Sequence, residues 1–178
     1  MVILIGGASH TGKTLMMKKL VERTSFPALS LDHLKMGLIR AKTTDLTPED
    51  DEALTAFLWP IAAEMIKTVI ENRQDLILEG CYIPADWANC FEKRYLKEIR
   101  AAKIILSEKY IRDHFGVIQR TANAAEYRMR EFLDREELIQ DNARQKKEAE
   151  ENKTPFVYIQ DRFDPDEVYK ELTSLLGL

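Results

Sequence analysis

Nine residues near the start of the chain, GGASHTGKT at 6–14, gather three glycines, three hydroxyl side chains, a histidine and a lysine directly after an apolar run. Gly7-Ala8-Ser9-His10-Thr11-Gly12-Lys13-Thr14 fits the Walker A pattern G-x-x-x-x-G-K-[ST] without a gap. Glycines let successive backbone amides turn inward on one anion, and a helix starting at the lysine adds its positive end. A phosphate cradle is therefore expected from Gly7 through Leu15. Lys13 can reach the β- and γ-phosphates of a nucleotide, and the Thr14 hydroxyl can ligate Mg²⁺. Ser9 and His10 fall at variable positions, and His10 reads as a loop side chain beside the phosphates rather than as a catalytic group. The plain alternative is a glycine turn that binds nothing. An apolar strand before the loop and an amphipathic helix after it are the context that phosphate binding requires.

Such a loop needs a sheet edge to hold it. MVILI at 1–5 is followed by four more short apolar runs, ALSL (28–31), LILE (76–79), KIIL (103–106) and FVYI (156–159), each bounded by polar or turn-forming residues. Helical spacing lies between them, over Thr14 to Arg23 and again through Leu54, Phe57, Leu58, Ile61, Met65 and Val69. Alternating strands and helices predict an α/β fold with a five-stranded parallel sheet and helices on both faces. Thr47 followed by Pro48 predicts a helix starting at Pro48, and Pro60 predicts a kink or break within it. The charged stretch after Asp134 predicts a mostly solvated or mobile helix. With no internal repeat or linker, 1–178 reads as one domain with two helical excursions, about 32–74 and 108–153.

Two acids sit at predicted carboxyl edges of strands, where open α/β sheets gather their ligands. Asp32 follows the second run in LSLDHLKMGLIR, and Glu79 ends the third in DLILEG. A carboxylate at Asp32 can orient an acceptor hydroxyl and take its proton during phosphoryl transfer; equally, Asp32 can cap the next helix. An acid closing an apolar buried strand is expensive unless paired or solvated at a site.

With the loop, Asp32 and Glu79 in this order, the chain resembles the P-loop small-molecule kinases, a group that includes nucleoside monophosphate, shikimate, gluconate and uridine kinases and zeta-toxin-like and 2-phosphoglycerate-kinase-like proteins. The resemblance spans nearly the whole chain in layout and implies a three-layer P-loop NTPase fold with a helical lid. It implies that Asp32 touches the acceptor hydroxyl and that Glu79, with Gly80 after it, serves Mg²⁺ through water or serves the acceptor. Glu79 departs from the aspartate of a standard Walker B strand. The resemblance further implies a lid after the fourth strand that brings arginines over the transferring phosphoryl group. Arg112, Arg120, Arg128, Arg130 and Arg135 are rich in that region; Arg120 and Arg128 lead as candidates, with Arg130 next.

Acceptor selectivity is expected from the first excursion and the residues after Gly80. Lys35 and Arg40 could grip an acidic or phosphorylated acceptor, or could be ordinary surface ion-pair partners. Cys81, Tyr82 and Trp87 could line a pocket or belong to the core. After the last run, QDRFDPDEV resembles the loop that leads these kinases into a terminal helix near adenine, with Asp164 as N-cap, Pro165 as first helical residue, and Gln160 and Arg162 as possible base contacts. A GTPase reading is weaker, because Pro155 occupies the place of the acid in the N-K-x-D-like NKTP at 152–155.

Composition sets the remaining bounds. Hydrophobic residues make up 45% and charged residues 31% of the chain, an ordinary globular balance, and no stretch approaches the roughly 20 apolar residues of a bilayer span. A net charge of -4 argues against general nucleic-acid binding. Cys81 and Cys90 have no metal-ligand spacing and read as small buried hydrophobes. The expectation is a cytoplasmic, ATP- and Mg²⁺-dependent phosphotransferase acting on a small hydroxylated or phosphorylated metabolite or nucleotide, without nucleic-acid or membrane partners. The alternative is a nucleotide-binding regulator or toxin-like protein with slow hydrolysis.

Overall fold

The computed structural model describes residues 1–121 and 133–178. Five parallel strands run β1 (Val2–Gly6), β2 (Ala28–Ser30), β3 (Leu76–Glu79), β4 (Ile99–Leu106) and β5 (Phe156–Ile159), ordered β2-β3-β1-β4-β5 in one sheet. β1 is central and its five residues are all buried, which is why it reads as an unbroken apolar run rather than an alternating one.

The two faces of β1 separate two cores. Ile3 and Ile5 join Ile77, Ile104 and Val157 beneath Met16 and Leu20 of helix α1 (Lys13–Thr24) and Val168 and Leu172 of α7 (Pro165–Leu176). Val2 and Leu4 join Leu76, Leu78 and Ile99 beneath Leu54, Leu58, Ala62 and Ile66 of α3 (Asp51–Glu71). Each fully buried Leu or Ile here contributes about 1.5–3 kcal/mol relative to exposure. The remaining helices are α2 (Leu31–Arg40), α4 (Lys93–Leu96), α5 (Glu108–Thr121) and α6 (Arg135–Glu151), with a short 3₁₀ turn at Trp87–Cys90.

Several expectations change. α3 begins at Asp51 rather than Pro48, because the Asp50 carboxylate turns back to accept from both the amide and the hydroxyl of Thr47, at 2.7 and 2.9 Å, and closes a turn there. Pro60 does not break α3, which runs through it with the proline on the exposed side and Trp59 buried beside it. By length and composition α3 could cross a membrane, contrary to the expectation that no stretch comes close, yet one side of it forms the core beneath the sheet. α6 is mostly solvated, as expected, but one thin side of it packs on the sheet. Leu138, Ile139, Asn142 and Ala149 are buried, and the Asn142 side chain bridges helix and sheet, accepting from the Leu106 amide at 2.8 Å while donating to the Leu138 carbonyl at 2.9 Å. β4 starts four residues before the predicted KIIL run. Cys81 is half-buried and Cys90 exposed, so the expectation of two buried cysteines fails.

Candidate active site

Register brings the chemistry-bearing residues to one edge. Ile5 of β1 pairs with Glu79 of β3, and Glu79 pairs with Ser30 of β2, so the loop after Gly6, the acid at 79 and the helix after Ser30 leave the sheet side by side at its carboxyl edge.

Two glycines set the loop's shape. Gly7 has φ +134°, and a Cβ there would stand 2.3 Å from the Ile104 carbonyl oxygen of β4. Gly12 has φ +89°, and a Cβ there would stand 2.6 Å from the ring of Phe163. Both positions demand a left-handed backbone and a close approach that only glycine supplies. His10 also adopts a positive φ, 61°. Thr11 is fully buried, and its hydroxyl donates to the Ala8 carbonyl at 3.1 Å. The ammonium of Lys13, itself buried, donates to the same carbonyl at 2.6 Å. Ser9 and His10 are half-buried, Thr14 faces Glu79, and Leu15 turns outward from α1. A turn of this kind, at the start of a helix with no acid in its first turn, can hold an anion on its amides.

Glu79 is 1% exposed, and its Oε1 accepts from the Thr14 hydroxyl at 3.3 Å. Gly80 follows, its amide donating to the Ile5 carbonyl at 3.2 Å. A hydroxyl and a carboxylate this close are hard oxygen donors, and Mg²⁺ is commonly bound by one or two such groups together with phosphate oxygens and water. The pair therefore fits that ion. Among the described residues no group of three or more His, Cys, Asp or Glu side chains gathers as a larger metal cluster.

Asp32 lies in the first turn of α2, but it is not the cap. Ser30 is the cap, its hydroxyl accepting from the Asp32 amide at 3.3 Å. The Asp32 carboxylate is therefore left to make ionic contact with Lys35, whose Nζ lies 3.1 Å away. Lys35 also donates to the Tyr82 hydroxyl at 2.8 Å, and that hydroxyl donates in turn to Asp51, the first residue of α3, at 2.8 Å. Burial pushes the Tyr82 hydroxyl well above its ordinary pKa, helped by nearby thiol and carboxylate charge, so it stays a neutral donor. Burial likewise pushes the adjacent Cys81 thiol up to about 11.

Other predicted residues lie elsewhere. Arg40 is exposed at the end of α2, eight residues and about 12 Å of helix beyond Asp32. Arg120 is exposed in the last turn of α5, its guanidinium lying back beside Gly116 of the same helix. Arg128 and Arg130 lie outside the described residues. Arg112 is held bidentately by Glu136 at 2.9 and 3.0 Å, which ties α5 to α6, while Arg135 pairs with the same Glu136 within α6 at 3.2 Å. Trp87, half-buried, packs on Phe91 at the margin of the core, ring centroids 6.2 Å apart. Arg162 pairs with Glu167 at 2.6 Å, and Gln160 is met by the Ser107 hydroxyl at its carbonyl. Asp164 caps α7 through the amides of Asp166 and Glu167 at 3.0 and 3.2 Å, with Pro165 first in the helix, as expected.

Sequence reasoning missed Phe163, which lies on Gly12 of the loop; a single aromatic within a polar turn was its only signal. It also missed Asp51, which reads as an ordinary acid at a helix start and meets Tyr82 only through the fold.

No protein-family model matches the sequence, and no curated protein matches it. Solved structures do resemble the fold. A deoxyadenosine kinase from M. mycoides with dCMP and dCDP bound superposes with a TM-score of 0.62 at 12% identity, covering 99% of each chain. A sugar kinase from Janibacter sp. HTCC2649 gives 0.59 at 16% identity over 99% of this chain and 94% of that one. Shikimate kinase from Aquifex aeolicus gives 0.54 at 18% identity over 99% and 97%. The chain thus shares the α/β fold of these structures.

Proposed function

We propose that the protein is a cytoplasmic, ATP-dependent phosphotransferase that moves the γ-phosphoryl group to a hydroxyl of a small metabolite. The observation that carries this reading is the shared sheet edge: register aligns Ile5, Glu79 and Ser30, so the Walker A loop emerges beside Glu79, and Asp32 stands two residues beyond Ser30 of the next strand out. A loop alone speaks for phosphate binding. Two acids at the same sheet edge, one of them bonded to the loop's own threonine, speak for transfer.

In this reading the amides from Gly7 to Leu15 hold the β- and γ-phosphates, and Lys13 exchanges the Ala8 carbonyl for a phosphate oxygen as the nucleotide enters. Thr14 and Glu79 would hold Mg²⁺, which supplies neutralisation of charge on the phosphate oxygens. Asp32 orients the acceptor hydroxyl and receives its proton as the oxygen attacks phosphorus. Lys35, with its ammonium 3.1 Å from that carboxylate, holds it in place beside the acceptor. Arg120, Arg128 and Arg130 are proposed to lie over the transferring group, with 108–153 acting as the lid arm and 32–74 as the acceptor-binding part of one domain.

Acceptor-stimulated ADP release across a panel of hydroxylated metabolites tests the proposal. Lys13→Ala is expected to lower turnover at least 100-fold while the thermal midpoint changes little. Asp32→Asn is expected to keep nucleotide affinity within about twofold and to lose transfer. Full activity of Lys13→Ala on an accepted substrate would refute the role of the loop, and an ADP release rate that no acceptor accelerates would favour a nucleotide-binding regulator.

A further inference from the structure

We infer that Phe163 is a positioning residue for the phosphates: the tip of its ring, resting on Gly12, holds the Walker A turn in the shape that receives them. The inference rests on the phosphate-binding loop of the phosphotransferase reading and adds to it a residue from the far end of the chain. The turn between β5 and α7 carries Gln160 and Arg162, expected to serve the base, and it also carries Phe163 onto the loop. Cζ and Cε2 of the ring stand 2.6 and 2.8 Å from where a Cβ of Gly12 would be. The ring tip fills the space that a glycine leaves open.

Gly12 is the residue of the loop with most need of such a support. It is the N-cap of α1, at φ 89° and ψ 12°, with no side-chain hydrogen bond to fix the cap. A glycine has more backbone freedom to lose than any other residue, and the amides of Lys13 and Thr14 follow from the direction it takes. Two side chains close the turn from within, the Thr11 hydroxyl and the Lys13 ammonium, both on the Ala8 carbonyl. In the proposed function Lys13 leaves that carbonyl for a phosphate oxygen, so one closure is given up as the ligand arrives. The contact from Phe163 takes no part in that exchange and persists.

Phe163 can bear on Gly12 because its own place is fixed. The ring is half-buried against the core that α1 and α7 share. Asp164, next in the chain, caps α7, and Lys19 of α1 meets Asp166 of α7 at 2.7 Å. Before it, the Gln160 carbonyl accepts from the Ser107 hydroxyl at 3.3 Å and Asp161 pairs with Lys109 at 2.9 Å.

Calorimetric titration with ATP and with inorganic tripolyphosphate, each with Mg²⁺, tests this, because tripolyphosphate offers phosphates and no base. A leucine side chain ends at Cδ, so Phe163→Leu keeps an apolar group against the core and removes the Cε2 and Cζ atoms that face Gly12. In that variant both ligands are expected to bind about tenfold more weakly, the cost of ordering roughly one residue at binding, with the two losses equal to within about twofold. The thermal midpoint without ligand is expected to change little. Loss for ATP alone places the ring on the base and overturns the inference. Unchanged affinities in Phe163→Leu overturn it too, even where Phe163→Ala loses both affinity and midpoint, since Gly12 then keeps its shape unaided. A wild-type protein that binds neither ligand removes the inference together with the loop's role. The kinase reading fails separately. Equal losses in Phe163→Leu, with no compound of the metabolite panel accelerating ADP release from ATP, refute transfer and leave Phe163 in its role, whereas accelerated release with unchanged affinities does the reverse.

Discussion

Cys81 shows how one position in this site feels its surroundings. It follows Gly80 directly, and loss of water around the thiol pushes its pKa up to about 11, an effect that Lys13 opposes and that Asp32 and Asp51 reinforce. A thiol held in its neutral form is a poor nucleophile. Cys90 is exposed on the 3₁₀ turn. Maleimide labelling at pH 7.5 is therefore expected to modify Cys90 at least tenfold faster than Cys81, and Cys90→Ser should remove the fast phase. The slow phase should accelerate as pH rises toward 11. Equal rates at both positions would show that the Cys81 thiol is not held neutral by loss of water around it.

At the scale of elements, α2 matters because one helix carries both Asp32 and Lys35. Its first turn is fixed by the Ser30 hydroxyl, buried at the end of β2. Ser30→Ala removes that acceptor, at an expected cost of about 1 kcal/mol, readable as a lower urea midpoint with an unchanged slope. If Asp32 does the work proposed for it, turnover should fall further than stability does, because the frayed turn is the one that orients the carboxylate. An unchanged midpoint would remove Ser30 from its capping role.

The same elements show what could be read from the chain beforehand. LILE and FVYI match β3 and β5 residue for residue, since both are short apolar runs closed by polar or turn-forming neighbours. β4 was shortened because its first half, with Arg100 and two alanines, lacks the apolar density of a buried run. The helix after Asp134 is legible, but its packed side is not, because that side is thin and depends on Asn142, a polar residue whose partner is a strand amide 36 positions away. The loop was legible as a local pattern. The bond from Tyr82 to Asp51 spans 31 positions and needs the whole α/β layering to bring its ends together.

Across the whole molecule, the least conventional feature of the sheet is a lysine inside it. Lys103 on β4 is 2% exposed, its stem packs over Gly6, and its ammonium donates to Gln145 of α6 at 2.6 Å with Glu148 at 3.8 Å. Burial lowers its pKa, and the pull of Glu148 does not restore it. Between that lowered value and the unfolded value of about 10.4 the folded chain binds fewer protons than the unfolded one, so stability from this group rises with pH across the interval. Lys103→Met keeps the volume and removes the buried charge. Its thermal midpoint is expected to exceed that of the wild type at pH 7, with the advantage shrinking as pH approaches 10. A difference that stays constant with pH would mean that the charge is not what the fold opposes there.

The strand order carries a consequence for how the chain folds as it is made. β1 precedes every other strand, yet both its edges are completed by later segments, β3 at 76–79 and β4 at 99–106. During synthesis at about 5–20 residues per second, VILIG therefore waits for several seconds with no partner on either side. Through that interval the nascent chain presents an apolar, β-prone segment to whatever surrounds the ribosome exit. The loop after β1 acquires its supporting sheet only once β3 and β4, at 76–79 and 99–106, have been made.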